Sequence, residues 1–167
     1  DFKFMAARFP EAQSTIYNEG HVFDLGGIHI EAIEVPGHTD GSMVFHMHGH
    51  DLLFTGDAIG SGHGVWIFND RAFRKYAEAV PHLISWLEAP ENEVNLKKLR
   101  VYGGHYWQRD WLPELGDNEM GMQYIREMQT LLDEIKAGTA ATEPSGLDRP
   151  GLDTYFRHGS AIIVWNA

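Results

Sequence analysis

Cysteine does not occur among the 167 residues of the chain. Disulfide bonds and thiolate ligands are therefore excluded, and any metal must be held by nitrogen and oxygen atoms. Basic residues are also scarce, with 13 Lys and Arg against 24 Asp and Glu and a formal net charge of −11. Such a surface disfavours general binding to nucleic acids, because it repels their phosphate backbone. No apolar run approaches the length of a membrane span, and the composition leaves the cellular compartment undetermined.

The first third of the chain reads as β-structure. With 43% hydrophobic residues, the chain has enough apolar material for one packed core. The segments HVFDLGG, IHIEAIEV, SMVFHMH and DLLFTG have the composition of strands separated by turns. KKLRVYGG predicts a short fifth strand, and AIIVW predicts the last one.

Two segments carry apolar residues at helical spacing. The first runs from Asp70 to Leu87, with Asn69 or Asp70 as the expected N-cap, and Pro81 is expected to bend or divide it. The second runs from Met120 to Lys136 and precedes Gly138. Residues 139–154 are rich in Thr, Pro, Gly and Asp and predict a loop. The resulting order β-β-β-β-α-β-α-β predicts an α+β fold.

Three short motifs share one arrangement, in which a predicted strand ends, glycine follows and a metal-competent side chain lies in the turn. They are Pro36-Gly37-His38-Thr39, Thr55-Gly56-Asp57 and Tyr102-Gly103-Gly104-His105. Loops at strand ends on a rigid sheet commonly carry function, and glycine lets backbone approach a ligand without a Cβ in the way. The three side chains are therefore candidates for one shared site.

Together, VPGHTDGS, LLFTGDAIGSG and VYGGHY resemble the second half of the metallo-β-lactamase superfamily. The resemblance implies that family's αββα sandwich, here represented by its C-terminal half only. It also implies that His38 belongs to the first of two metal sites, that Asp57 bridges the two ions, and that His105 belongs to the second. The implied cofactors are two divalent metal ions, with zinc favoured and iron or manganese also compatible.

The activity implied by this resemblance is hydrolysis of a small-molecule substrate by a metal-bound hydroxide. The implied bridging ligand is Asp57, not cysteine. The set of metal ligands therefore resembles that of glyoxalase-II-type hydrolases, which act on thioesters and esters, more than that of lactamases with a thiolate ligand. A phosphodiesterase or nuclease of the same superfamily is disfavoured by the net charge of −11.

One departure from the family pattern stands out. The His-X-His-X-Asp-His motif should precede Pro36, but only His21 and His29 lie upstream of it. We therefore expect residues 1–167 to form a single domain that lacks the N-terminal half carrying this motif. Taken alone, it should be inactive, and its exposed apolar sheet face should favour self-association. The alternative is a non-catalytic binding module with a degenerate metal site.

The hexapeptide His46-Met47-His48-Gly49-His50-Asp51 looks like a metal signature. Its place between two strands instead predicts a hairpin with a polar, partly solvated face, at the end of the sheet away from the metals. Four further residues are candidates to line the pocket, with ordinary packing as the alternative: His63, Trp66, Tyr106 and Trp107.

Overall fold

The computed structural model describes residue 8 and residues 15–60, 64–105 and 119–166. The strands of this part of the chain form two sheets, and two α-helices pack beside them. The first sheet has the order β1-β2-β3-β4-β6-β7 and the second the order β5-β10-β9-β8. The strands are β1 (Val22–Asp24), β2 (His29–Glu34), β3 (Met43–Met47), β4 (Leu52–Gly56), β5 (Val65–Trp66), β6 (Arg100–Gly103), β7 (Glu119–Met120), β8 (Ala141–Pro144), β9 (Thr154–His158) and β10 (Ala161–Trp165).

The first sheet brings the ends of two strands to one edge. Strands β1 to β4 pair antiparallel in sequence order, whereas β6 pairs parallel with β4. Parallel strands end at the same edge of a sheet, so the residues that follow Gly56 and Gly103 lie side by side. The turn of the β3–β4 hairpin lies at the opposite end of these strands.

Helix α1 spans Asp70–Glu88 and begins as the sequence predicts. Asn69 caps it, because its side-chain oxygen accepts a hydrogen bond from the Ala72 amide at 2.9 Å. The expectation that Pro81 could divide the helix is wrong, since the structure has one helix of 19 residues with Pro81 inside it. Core residues lie on both sides of the proline, including Val80 and Leu83, and their burial holds the helix together across the missing backbone donor.

Helix α2 spans Met122–Ala137, two residues later than predicted at its start. The difference arises because Glu119–Met120 pairs with β6 as a short strand. At its other end, Gly138 takes the left-handed conformation with φ of 70°, which glycine adopts without a steric cost.

The predicted loop at residues 139–154 is partly wrong, because it contains strand β8. All four residues of Ala141–Pro144 are exposed, and β8 is the edge of the second sheet. Such a strand has no alternation of buried and exposed residues to reveal it in the sequence. Thr154–His158 then continues as β9 and pairs antiparallel with both β8 and β10.

One hydrophobic core joins both helices to one face of each sheet. It includes Val44, Leu53 and Val101 from the first sheet and Ile163 from the second. The expected α+β architecture is therefore confirmed. In the described part of the chain, neither helix combines the length and apolarity needed to cross a membrane.

The opposite face of the first sheet carries aromatic side chains. Phe45 and Phe54 are cross-strand partners, and the Phe54 ring stacks on Tyr102 with centroids 6.1 Å apart. Phe54 is 38% exposed, which is unusual for a phenylalanine. Phe54 exposes apolar surface on this face; the expectation that an exposed apolar face favours self-association stays a prediction.

His46 differs from its sequence-based interpretation. The expected polar, partly solvated face is wrong here, because His46 is only 2% exposed and lies on the core side of β3. Its ring packs edge-on against Trp86 of helix α1, with centroids 5.4 Å apart. Neither ring nitrogen has a hydrogen-bond partner among the described residues. The pKa of His46 is lowered from 6.5 to about 4, chiefly by burial and also by the neighbouring His48, while Asp51 acts in the opposite direction.

His46 should make the fold sensitive to acid. In the unfolded chain it takes up a proton near its ordinary pKa of 6.5, whereas in the folded chain it stays neutral down to about pH 4. Its neutral form therefore supports stability fully above pH 6.5, and this support declines as the pH falls to about 4. In the wild type, His46 should account for a fall of about 3 kcal/mol in the free energy of unfolding between pH 6.5 and about 4. His46→Leu should lack this part of the fall, which urea unfolding at several pH values measures. The control is His50→Leu at the exposed turn, whose free energy of unfolding should depend on pH as that of the wild type does. If His46→Leu showed the wild-type pH dependence too, His46 would not be the source of the acid sensitivity.

Candidate metal centre

The first candidate ligand, His38, lies in a turn after β2 that packs closely on helix α1. A Cβ added at Gly37 would come within 2.5 Å of the Tyr76 ring, so only glycine allows this approach. The ring Nδ1 of His38 lies 3.0 Å from the carbonyl oxygen of Trp66. Because a carbonyl can only accept, Nδ1 donates the proton, and Nε2 of the neutral ring keeps a lone pair for a ligand.

Asp57 and His105 follow the parallel strands β4 and β6. Gly56 has a φ of 49°, which turns the chain after β4. The Gly104 amide donates to the carbonyl oxygens of both Gly56 and Gly60, at 3.1 and 3.0 Å. A Cβ at position 104 would collide with Asp57 Oδ1 and approach the backbone around it. Glycine at this position therefore lets the two turns meet.

The three side chains come together around Asp57. His105 Nε2 lies 3.2 Å from Asp57 Oδ1, and His38 Nε2 lies 3.9 Å from Asp57 Oδ2. The two carboxylate oxygens thus face two different histidines. All three side chains are partly exposed, with accessible fractions of 21% for His38, 36% for Asp57 and 39% for His105. A small molecule from solvent can reach this edge of the sheet.

The donor set fits divalent metal ions in part. Nitrogen and oxygen atoms that share a tetrahedral zinc ion at about 2.0–2.1 Å lie roughly 3.3 Å apart, close to the separation of His105 and Asp57. The His38–Asp57 separation requires a wider angle. Asp57 Oδ1 is buried and, apart from the His105 ring 3.2 Å away, faces no potential hydrogen-bond partner in the described part of the chain, which is costly for a carboxylate unless a cation faces it. No group of three or more potential ligands capable of holding one ion exists among residues 15–60, 64–105 and 119–166. The described residues therefore offer two pairs of potential ligands that share Asp57.

Of the four predicted pocket residues, only Trp66 can be placed. His63, Tyr106 and Trp107 lie outside the described residues. Trp66 is half-buried, and its carbonyl orients His38. Its indole ring packs on the outer face of the second sheet, against Leu152 and neighbouring residues.

The histidines of the β3–β4 hairpin lie away from this centre. His46 is buried in the core, and His48 Nε2 lies at hydrogen-bond distance, 2.9 Å, from a carboxylate oxygen of Glu31. The turn that contains His50 lies at the end of the strands opposite Asp57. The structure therefore separates this histidine-rich segment from the three motif residues.

Two residues that no motif in the sequence singles out lie beside His38 or Trp66. Phe68 is 49% exposed, and its ring centroid lies 5.6 Å from that of His38. Arg149 places its guanidinium carbon 5.8 Å from the centre of the Trp66 ring. The sequence does offer a signal for Phe68, because it lies in the short connection between the predicted β-structure and the helix cap Asn69, where binding residues often lie. No pattern in the sequence indicates that Arg149 folds back to this region.

Gly104→Ala should disturb this edge of the sheet selectively. The added methyl group must displace Asp57 or the turn after β4, and overpacking of this kind costs about 1–3 kcal/mol of unfolding free energy. Gly121→Ala is the matched control, because its Cβ would make only an ordinary contact, at 3.7 Å from the Leu99 carbonyl oxygen. Thermal unfolding of both variants measures the difference. Equal stability of Gly104→Ala and wild type would show that the two turns do not meet as described.

Comparison with known proteins finds hydrolases among the relatives. The chain is 26% identical over 121 residues to an atrochrysone carboxyl ACP thioesterase of Cryptosporiopsis sp., covering 71% of this chain and 34% of the relative. It is 39% identical over 54 residues to a hydroxyacylglutathione hydrolase of Ruegeria pomeroyi, covering 32% of this chain and 21% of the relative. The chain therefore spans about a third or less of these relatives' length.

A solved structure shows the same fold over part of its length. The crystal structure of ETHE1 from Myxococcus xanthus superposes with a TM-score of 0.50 at 18% identity, covering 70% of this chain and 44% of that one. At this identity, the similarity concerns the fold alone.

The three motifs and their geometry agree with the family comparison. The family model described as Metallo-beta-lactamase superfamily matches residues 8–105, which include His38, Asp57 and His105. This match covers more than half of the 167 residues. The chain belongs to the metallo-β-lactamase superfamily.

Proposed function

We propose that this chain contributes His38, Asp57 and His105 to the two-metal centre of a hydrolase that acts on thioesters of small molecules. The observation that carries the proposal is the position of Asp57, whose two oxygens face two different histidines at 3.2 and 3.9 Å. A carboxylate with this environment suits a bridge between two ions. Zinc is the proposed metal, because the available donors are imidazole nitrogen and carboxylate oxygen.

The residues of the chain would prepare this centre before any metal binds. The Trp66 carbonyl fixes the ring and the proton of His38, which directs Nε2 towards Asp57. Gly104 lets Asp57 and His105 approach each other. Divalent ions, when bound, supply a lowered pKa for water and polarisation of the scissile carbonyl.

The thioester class is proposed from the relatives. Both relatives described above have names that denote hydrolysis of an acyl group from a thiol carrier, and the absence of cysteine is consistent with a nitrogen and oxygen site. These relatives share only 26% and 39% identity over their matched segments, so they support the bond type rather than a particular substrate.

A second candidate function is a non-catalytic binding module with a degenerate metal site. It is favoured by the finding that no three potential ligands surround one point in the described part of the chain. Each ion would then have two protein ligands from the described residues. We therefore expect zinc to bind weakly and thioester turnover by these 167 residues to be low.

Zinc titration of the purified chain distinguishes the two candidates. For the two-metal centre, Asp57→Asn should weaken zinc binding at least tenfold, because both ligand pairs include this carboxylate. His38→Gln and His105→Gln should each remove one pair and leave the other. Calorimetry gives affinity and stoichiometry, and mass spectrometry under native conditions counts the bound ions.

The exposed His50 provides the control. His50→Gln should bind zinc as the wild type does, since it lies at the far end of the sheet. Zinc binding that survives Asp57→Asn, or zinc binding that is lost with His50→Gln, would refute the proposed centre. Absence of any zinc binding by the wild type would favour the non-catalytic module.

A further inference from the structure

An apolar side chain lies exposed next to the proposed ligand His38. Phe68 is 49% exposed, although its ring lies between two other aromatic rings. Its centroid is 5.6 Å from the His38 ring and 6.4 Å from the Trp66 ring, to which it is nearly perpendicular. A large apolar side chain held in place by such contacts and still facing solvent can bind an apolar group of a ligand.

Arg149 adds a positive charge to the same surface. Its guanidinium carbon lies 5.8 Å from the centre of the Trp66 ring. Within the described part of the chain, no carboxylate lies at ion-pair distance from Arg149. At this distance the guanidinium lies over the indole ring, and its N–H donors can bind an anion.

Two cations of helix α1 differ from Arg149 in this respect. Arg71 and Lys75 both contact Asp40, at 3.6 and 2.6 Å, and this carboxylate offsets their charge. Although the whole chain carries a net charge of −11, no carboxylate of the described residues lies at ion-pair distance from Arg149, which contacts the Trp66 ring beside Phe68.

A small cavity adjoins this surface. Its volume is about 170 Å³, and its lining includes His38, Phe68 and Arg71. Sites that enclose a whole drug-sized ligand have volumes of roughly 300–1,000 Å³. The cavity beside His38 can therefore take up only one part of a substrate, and the rest must lie on the surface next to it.

We propose that Phe68, Trp66 and Arg149 form a substrate-binding surface, here called the aromatic shelf, which selects thioesters that carry an apolar group and a nearby anionic group. Phe68 contacts the apolar group, and the Arg149 guanidinium binds the carboxylate or phosphate. This inference rests on the proposed function, because it assigns the shelf to the substrate of that centre. Phe68 and Arg149 are thus specificity-determining residues.

The test uses ligands that cannot be hydrolysed, so it does not depend on activity. The thioether (benzylsulfanyl)acetate carries an aromatic ring and a carboxylate, and (benzylsulfanyl)acetamide is its neutral counterpart. Calorimetric titration of the zinc-free chain should show that the carboxylate binds about tenfold more tightly, because a charge-assisted hydrogen bond distinguishes the two.

Two substitutions separate the roles of the shelf residues. Arg149→Gln should abolish the preference for the carboxylate and leave the affinity for the amide unchanged. Phe68→Ala should weaken both ligands by about tenfold and keep the preference. The controls are Arg126→Gln, whose arginine pairs with Glu88, and Leu25→Ala, which removes a leucine that is 63% exposed. Both controls should bind the two ligands as the wild type does.

The outcomes for the shelf and for the metal centre can be told apart. Equal affinity of the wild type for both ligands, failure to bind either one, or an unchanged preference in Arg149→Gln would overturn the shelf. Zinc binding that depends on Asp57, together with any of these results, would refute the shelf alone. Ligand binding as predicted without Asp57-dependent zinc binding would support the shelf as a binding surface and refute the proposed metal centre.

Discussion

The close approach of the turns after β4 and β6 is the constraint on which the candidate centre depends. These strands are parallel neighbours, so the residues that follow them emerge at the same edge. Gly104 bonds to backbone from the β4 turn and occupies a position where a Cβ would meet Asp57. The approach of Asp57 to His105 follows from this contact between backbones, whereas the position of His38 depends on the close packing of Gly37 on Tyr76 and on the hydrogen bond to the Trp66 carbonyl.

The sequence predicts the parts of this molecule that depend on local patterns. The spacing of apolar residues predicts both helices within two residues at each end, because a buried stripe repeats with the helical period. The three glycine-containing motifs identify His38, Asp57 and His105, whose meeting in space requires the pairing of distant strands. That pairing came from the resemblance to the superfamily, which the family comparison then confirmed. The metal-ligand roles of these residues stay a prediction.

Features that depend on tertiary contacts could not be predicted in the same way. His46 is buried because helix α1 places Trp86 over it, and nothing in the alternation along β3 distinguishes that outcome from a solvated face. Strand β8 has four exposed residues and pairs only at the edge of its sheet. Arg149 reaches Trp66 from a loop more than 80 residues later in the chain. In each case the position depends on a contact with a segment that is distant in the sequence, and local patterns do not indicate such contacts.

The central claim is that Asp57 and the two histidines facing it bind metal. Long-range ¹H–¹⁵N spectra of the imidazole rings, recorded with and without zinc, test this claim most directly because each histidine gives its own signals. Zinc should shift the Nε2 signals of His38 and His105 and leave those of His48 and His50 in place. Shifts confined to the hairpin histidines, with His38 and His105 unchanged, would contradict it.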